Sequence, residues 1–245
     1  MTLKDFEKKL NDLNYEIRDN ISDNENKIFP IFDGPLSVKE YFNAPIKIMW
    51  LMKEAYDDEG NGDWSFTDLY TNDYQRFYKD LVRGKSNKTW QPVVYTTYGI
   101  LKECNNEYIE YDHIPFIWNK PDIVKCLSNI AWVNIQKLPS KNGTNTNMNH
   151  IKEAFDLYFP IINKQIELLN PDIIICGGLF RTPGFLEKIF GYSIKEKLDS
   201  KSWVEYSVIN DKLVISAYHP SYVCDKEKYI NEIIDVVRNK INKQK

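Results

Sequence analysis

The run of residues 46–56, IKIMWLMKEAY, most constrains how this chain can fold. Its first seven residues hold a single charge, and the run then changes to polar character at Lys53 and Glu54. A short, continuous apolar run is typical of a strand buried on both faces, as in a parallel sheet covered by helices. Ligands bind at the carboxyl ends of the strands in such sheets, so Glu54 is expected beside a site.

Three further apolar runs, at residues 129–135, 172–176 and 213–217, also predict strands. With residues 46–52 they make four predicted strands. The three runs lead into Asn134, the pair Gly177 and Gly178, and His219. The two glycines permit another segment of backbone to approach closely at this point. If the strands are parallel, Glu54, Asn134 and His219 meet at one edge of the sheet.

Segments with helical spacing of apolar residues separate the four strands. This alternation predicts an α/β fold, specifically a three-layer α/β/α sandwich around a mainly parallel four-stranded sheet. We predict one domain over residues 1–245, with an N-terminal helical extension at 1–45 and a helical insertion at 57–128. Apolar residues three and four apart predict that the extension begins with a helix, for which Thr2 is a suitable N-cap.

The composition predicts a folded, cytoplasmic protein without metal or cofactor. The chain is 42% hydrophobic and 27% charged with a net charge of −3, so any nucleic-acid contact would need a local basic surface. No apolar run approaches the length of a transmembrane helix, and the N-terminus does not resemble a signal peptide. None of the cysteines forms a CxxC motif, and we expect reduced thiols at Cys104, Cys126, Cys176 and Cys224.

Four motifs at these strand ends carry a family resemblance: KEAY at 53–56, NIQKLP at 134–139, PDIIICGG at 171–178 and HPS at 219–221. In order and strand placement they resemble the motif series of the uracil-DNA glycosylase superfamily, over roughly residues 45–240. The resemblance implies a four-stranded parallel sheet between helices. It also implies a monomeric enzyme that needs no cofactor and hydrolyses the N-glycosidic bond of a flipped uracil or modified pyrimidine in DNA, leaving an abasic site.

The resemblance assigns the catalytic roles to Glu54 and His219. Glu54 matches the acidic residue of the first motif, which supports the sugar cation and the attacking water. His219 matches the histidine that stabilises the departing base anion, a form of electrostatic catalysis. Asn134 matches the asparagine that reads the flipped base, because an amide donates and accepts hydrogen bonds at once.

The remaining binding residues are expected around these three. Tyr56 lies where some family members place a tyrosine that blocks 5-substituted pyrimidines. Phe66, by its spacing after Glu54, is the candidate platform for base stacking, and Trp64 is a second aromatic near the pocket. The expected DNA contacts are Lys53, Lys137, Ser140, Ser221 and Tyr222. Val223 follows at the position of a leucine wedge.

Three alternatives remain open from the sequence. The long segment between Glu54 and Asn134 could reshape the pocket for a bulky modified base, as in glycosylases that defend bacteria against phages. The DNA could be double- or single-stranded. The same fold could also serve as a catalytically inactive module that binds nucleic acid or a nucleotide, which the net negative charge slightly favours.

Overall fold

A computed structural model describes the protein over residues 1–57, 59–84, 86–141, 146–179, 184–191, 196–222 and 225–244. The strands in this part of the chain are β1 (Gly34–Pro35), β2 (Ile48–Met52), β3 (Tyr56–Asp57), β4 (Ile130–Asn134), β5 (Ser140–Lys141), β6 (Ile173–Gly177), β7 (Glu205–Ile209) and β8 (Lys212–Ala217). The α-helices are α1 (Leu3–Ile21), α2 (Val38–Asn43), α3 (Phe66–Asn72), α4 (Tyr74–Arg83), α5 (Asn87–Cys104), α6 (Met148–Leu169), α7 (Phe185–Phe190) and α8 (Lys226–Gln244). Short 3-10 helices cover Tyr111–His113, Pro121–Asn129 and Pro220–Tyr222.

The main sheet is mixed and has six strands in the order β1-β4-β2-β6-β8-β7. Its four central strands are the four predicted from the apolar runs, and they are parallel to one another. The expectation of a four-stranded sheet was nevertheless wrong, because β1 and β7 add antiparallel edges. β1 has only two residues and carries no periodic signal, and β7 reaches β8 through a tight turn at Asn210 and Asp211, both with positive φ.

Helices cover both faces of the sheet, as an α/β/α layering requires. Every residue of β2, β4 and β6 is buried, which explains why their sequences are continuously apolar. Side chains such as Trp50 face a core formed with α5 and α8, whereas Met49 and Leu51 face a core formed with α1 and α6. Among the described residues, no helix is long and apolar enough to cross a membrane.

The N-terminal segment joins the body of the domain and does not form an appendage. Helix α1 starts at a capping box formed by Thr2 and Asp5, and its buried face packs against the sheet. Beyond α1 the chain runs along the carboxyl edge of the sheet. The N–H of Ile31 donates to the carbonyl of Lys137, and the N–H of Phe32 donates to the carbonyl of Trp64. This segment therefore lines one side of the region beyond the carboxyl ends of the strands.

Candidate active site

The topology defines where a site is expected. Strand β2 lies between β4 and β6, so the chain proceeds from β2 to one neighbour and later returns to the other. In open parallel sheets, ligands bind outside the carboxyl ends of the strands at such a reversal. Met52 is paired with Asn134 at the end of β2, and Gly177 is paired with Ala217 at the end of β8. Glu54, Asn134 and His219 accordingly lie at the same sheet edge.

The segments that leave β2 and β4 stay side by side beyond the main sheet. The N–H of Gln136 donates to the carbonyl of Lys53 at 2.8 Å, and the N–H of Ser140 donates to the carbonyl of Ala55 at 2.9 Å. They then pair as the short parallel strands β3 and β5, with Tyr56 opposite Ser140. This ribbon places two hydroxyl groups beside Glu54.

Both oxygens of the Glu54 carboxylate accept a hydroxyl group. The Tyr56 hydroxyl lies 3.1 Å from Oε1, and the Ser140 hydroxyl lies 2.5 Å from Oε2. Because a carboxylate only accepts hydrogen bonds, the Tyr56 hydroxyl donates to Glu54, and its oxygen accepts a hydrogen bond from the Thr146 hydroxyl at 3.4 Å. Burial raises the pKa of Tyr56, so the phenol remains a donor at neutral pH.

Asn134 presents an unused acceptor. It is the last residue of β4 and only 1% exposed. Its backbone N–H donates to Oδ2 of Asp33 at 2.6 Å, whereas its side-chain Oδ1 is buried and has no hydrogen-bond partner among the residues that the structure describes. Buried polar atoms are nearly always paired, so an unpaired amide oxygen at a strand end is suited to accept a donor from a ligand. By strand alternation, Asn134 lies on the same sheet face as Trp132.

His219 is held in one tautomer by the turn that follows β8. The backbone N–H of Ser221 donates to Nδ1 at 3.2 Å, and the Ser221 hydroxyl lies 2.7 Å from the same nitrogen. Since Nδ1 accepts, the proton of the neutral imidazole is on Nε2. Burial lowers the pKa of His219 to about 4, and the positive charge of Lys53 adds to this shift. The ring is therefore neutral at pH 7, with Nε2–H as a donor.

The two glycines at the end of β6, Gly177 within the strand and Gly178 directly after it, allow this turn to approach the central strands closely. Gly178 has a φ of +78°, and a Cβ atom there would lie 2.9 Å from Cβ of His219. A Cβ atom at Gly177 would lie 2.5 Å from Sδ of Met52. The close approach anticipated from the sequence thus joins the end of β6 to His219.

The structure overturns one of the predicted DNA contacts, Lys137. Its ammonium group is fully buried and lies 2.9 Å from the Asp33 carboxylate, and it also donates to Gln165 of α6 at 2.6 Å. A buried, paired ammonium group is not available to a DNA phosphate. Burial lowers the pKa of Lys137, and Asp33 opposes this shift.

The other predicted DNA contacts remain at the sheet edge but have partners of their own. Ser140 donates to Glu54, and Ser221 lies against His219. Lys53 is partly buried, and Tyr222 is 70% exposed with its ring stacked on Tyr218. Val223 lies outside the described residues.

The two candidate stacking aromatics differ in exposure. Phe66 is 7% exposed, and its ring packs against Trp64, Trp90 and Trp132 at centroid distances of 4.9, 6.2 and 6.0 Å. It belongs to the core on the face that Asn134 shares. Trp64 is partly buried and is the outer member of this cluster. Of these two aromatics, only Trp64 therefore presents ring surface that a ligand could reach.

Sequence reasoning missed Asp33. It lies in an Asp-Gly-Pro turn, a pattern that indicates only a change of chain direction. The residue is buried, and its carboxylate accepts from the Asn134 backbone, Lys137 and Gln165. The available signal was Gln165, a polar residue on the inner face of an otherwise apolar helical pattern.

The described residues contain no group of three or more His, Cys, Asp or Glu side chains that could hold a metal ion. The sequence matches no protein-family model and no curated protein. Function is therefore inferred from the chemistry of Glu54, Asn134 and His219.

Proposed function

We propose that this protein is a DNA N-glycosylase of the uracil-DNA glycosylase type. It hydrolyses the bond between deoxyribose and a flipped pyrimidine-type base and leaves an abasic site. The observation that carries the proposal is the placement of a neutral His219, whose Nε2–H is a donor, and of the Glu54 carboxylate just beyond the carboxyl ends of two parallel strands, β8 and β2. The four central strands with helices on both faces support the corresponding fold, to which β1 and β7 would be additions.

Hydrolysis of an N-glycosidic bond separates charge in the transition state. Positive charge develops on the sugar, and negative charge develops on the departing base. A fixed carboxylate stabilises the sugar cation and accepts a proton from the attacking water, a role that suits Glu54. Its two hydroxyl partners hold the group before the substrate arrives, so little reorganisation is needed during the reaction.

His219 supplies the complementary interaction with the base. A neutral imidazole donates a hydrogen bond to the developing anion from Nε2, and it does so without requiring a positive charge in a buried place. A pKa of about 4 keeps the ring in this neutral state over the physiological range. The backbone N–H of Ser221 prevents the ring from presenting the wrong nitrogen.

Asn134 would recognise the base itself. The base must leave the helical stack to reach a site at a strand end, and it is then read through its pairing edge. The buried, unpartnered Oδ1 of Asn134 is available to accept a ring N–H of the flipped base. DNA is the proposed partner, and Lys53, Tyr222 and Trp64 are the candidates for contacts around the extruded nucleotide.

Single-turnover base release tests this proposal. A panel of DNAs, single- and double-stranded, carries uracil or 5-modified cytosines, including bulky ones, and abasic sites are revealed by strand cleavage. Wild type is expected to act on at least one of them. Glu54→Gln and His219→Ala should lower the rate by about 100- to 1,000-fold while retaining DNA binding.

The matched controls are Glu153→Gln and His113→Ala, which change exposed residues and should keep the wild-type rate. A wild-type protein that releases no base from any DNA in the panel would refute the glycosylase proposal. Binding without turnover would then identify a nucleic-acid-binding module of the same fold. Wild-type rates in both site variants would refute the catalytic assignments.

A further inference from the structure

We infer that Tyr56 and Ser140 are positioning residues, which hold the Glu54 carboxylate in the orientation needed for turnover. This inference rests on the proposed function. It differs from the steric block that the family resemblance suggests for Tyr56 and from the DNA contact expected of Ser140. The reason is that both hydroxyl groups are directed at Glu54, one at each oxygen.

The backbone explains why the two hydroxyl groups converge. Tyr56 and Ser140 are directly opposite each other in the β3–β5 ribbon, where side chains of paired residues project to the same side. Glu54 lies between β2 and β3, two residues before Tyr56, and its carboxylate reaches both hydroxyl groups. The ribbon is a continuation of β2 and β4, which anchors the hydroxyl groups to the central sheet.

Two donors on separate oxygens constrain a glutamate more than one donor does. A glutamate side chain has several rotatable bonds, and ordering it during the reaction would add an entropic cost. With Tyr56 on Oε1 and Ser140 on Oε2, the plane of the carboxylate is set in the free protein. Preorganised groups of this kind are worth more in a transition state than mobile ones.

Thr146 extends the arrangement by one more hydroxyl. Its hydroxyl oxygen lies 3.4 Å from that of Tyr56, and since the Tyr56 hydroxyl already donates to Glu54, Thr146 is the donor of this second hydrogen bond. The phenol is thereby held from both sides. Its ring is still 39% exposed and remains able to contact a ligand, so the hydroxyl and the ring have separable roles.

Removal of each hydroxyl tests the inference. Tyr56→Phe and Ser140→Ala should each lower the single-turnover rate by about 10- to 100-fold, the range expected for a lost hydrogen bond to a charged group, with DNA affinity changed less than about 2-fold. Ser140→Thr keeps a hydroxyl and should restore most of the rate. Tyr15→Phe and Ser200→Ala, at exposed positions, are the matched controls.

A second arm asks whether both residues act through Glu54. In a Glu54→Gln background, Tyr56→Phe and Ser140→Ala should lower the residual rate by less than about 2-fold, because residues that act as a unit are not additive. If the full losses persist there, the two hydroxyl groups act independently of Glu54. A loss of DNA affinity in place of rate would instead identify them as substrate contacts. Either result overturns the inference.

A third arm does not depend on activity. A crystal structure of the free Tyr56→Phe/Ser140→Ala protein should show the Glu54 carboxylate displaced or in several positions. A carboxylate that keeps its wild-type position would overturn the inference even if the protein had no glycosylase activity. If the wild type releases no base but the Glu54 carboxylate is displaced in the double variant, only the proposed function is refuted.

Discussion

The ammonium nitrogen of Lys137 lies 2.9 Å from both carboxylate oxygens of Asp33, and neither side chain is exposed to solvent. The same carboxylate accepts the backbone N–H of Asn134 and the amide of Gln165. One buried ion pair thus ties the N-terminal segment to the end of β4 and to α6. Such pairs cost desolvation energy, and they tolerate the loss of one partner poorly.

Loss of either member of this ion pair should destabilise the protein strongly. Asp33→Ala and Lys137→Met each leave a buried group without its partner, and we expect a loss of about 3–5 kcal/mol in the free energy of unfolding. The combined Asp33→Leu/Lys137→Met change removes both charges and should recover much of that loss. Urea unfolding measures all three variants.

The control for this prediction is the exposed pair of Lys125 and Asp122, whose side chains are 71% and 74% exposed. Lys125→Met should change the free energy of unfolding by no more than about 1 kcal/mol. Wild-type stability in Lys137→Met would show that the buried pair contributes nothing to the fold.

Gly178→Ala should impair both stability and turnover. An alanine at this left-handed backbone conformation lowers the free energy of unfolding by about 1–2 kcal/mol, and its Cβ would also lie 2.9 Å from Cβ of His219. Gly191 is the matched control, because its φ is +72° but a Cβ atom there has open space. Gly191→Ala should lose stability through the backbone alone and keep the rate of base release. Equal effects of the two changes on that rate would contradict the contact with His219.

The stability of the protein should fall below pH 6.5 because of His219. Its pKa is lowered from 6.5 to about 4 in the folded state, so the unfolded chain takes up the proton first as the pH falls. The contribution is complete above pH 6.5 and is lost towards pH 4, with a slope of at most about 1.4 kcal/mol per pH unit. Urea unfolding at several pH values measures it, and His219→Asn should flatten the profile. An unchanged slope in that variant would assign the acid sensitivity to other groups.

Phe66 should behave as a core residue. Because its ring is 7% exposed and packed on tryptophans, Phe66→Ala should reduce the free energy of unfolding by about 3–5 kcal/mol. Phe116, at 51% exposed, is the matched control, and Phe116→Ala should cost far less. Thermal or urea unfolding distinguishes the two. Small and equal losses would show that Phe66 is not part of the core and is free to stack on a base.

The four central strands, and the end of the sheet at which their polar residues lie, could be predicted from the amino-acid sequence. Strands buried on both faces have continuous apolar sequences, so β2, β4, β6 and β8 were evident from hydrophobicity alone. Local features, such as the helix N-cap and the close approach at the glycines, could be predicted as well. The capping box of Thr2 starts α1, and the glycines after β6 allow the approach of His219.

The partners of the polar side chains, by contrast, depend on the tertiary structure. The sequence around Lys137 predicts an exposed lysine, but its ammonium group pairs in the core with Asp33, which is 104 positions away in the chain. The sequence predicts a DNA contact for Ser140, whereas its hydroxyl donates to Glu54, 86 positions away in the chain. The spacing of apolar residues is a local property of the chain. A hydrogen bond depends on which distant segments the fold brings within 3 Å, and no local pattern contains that information.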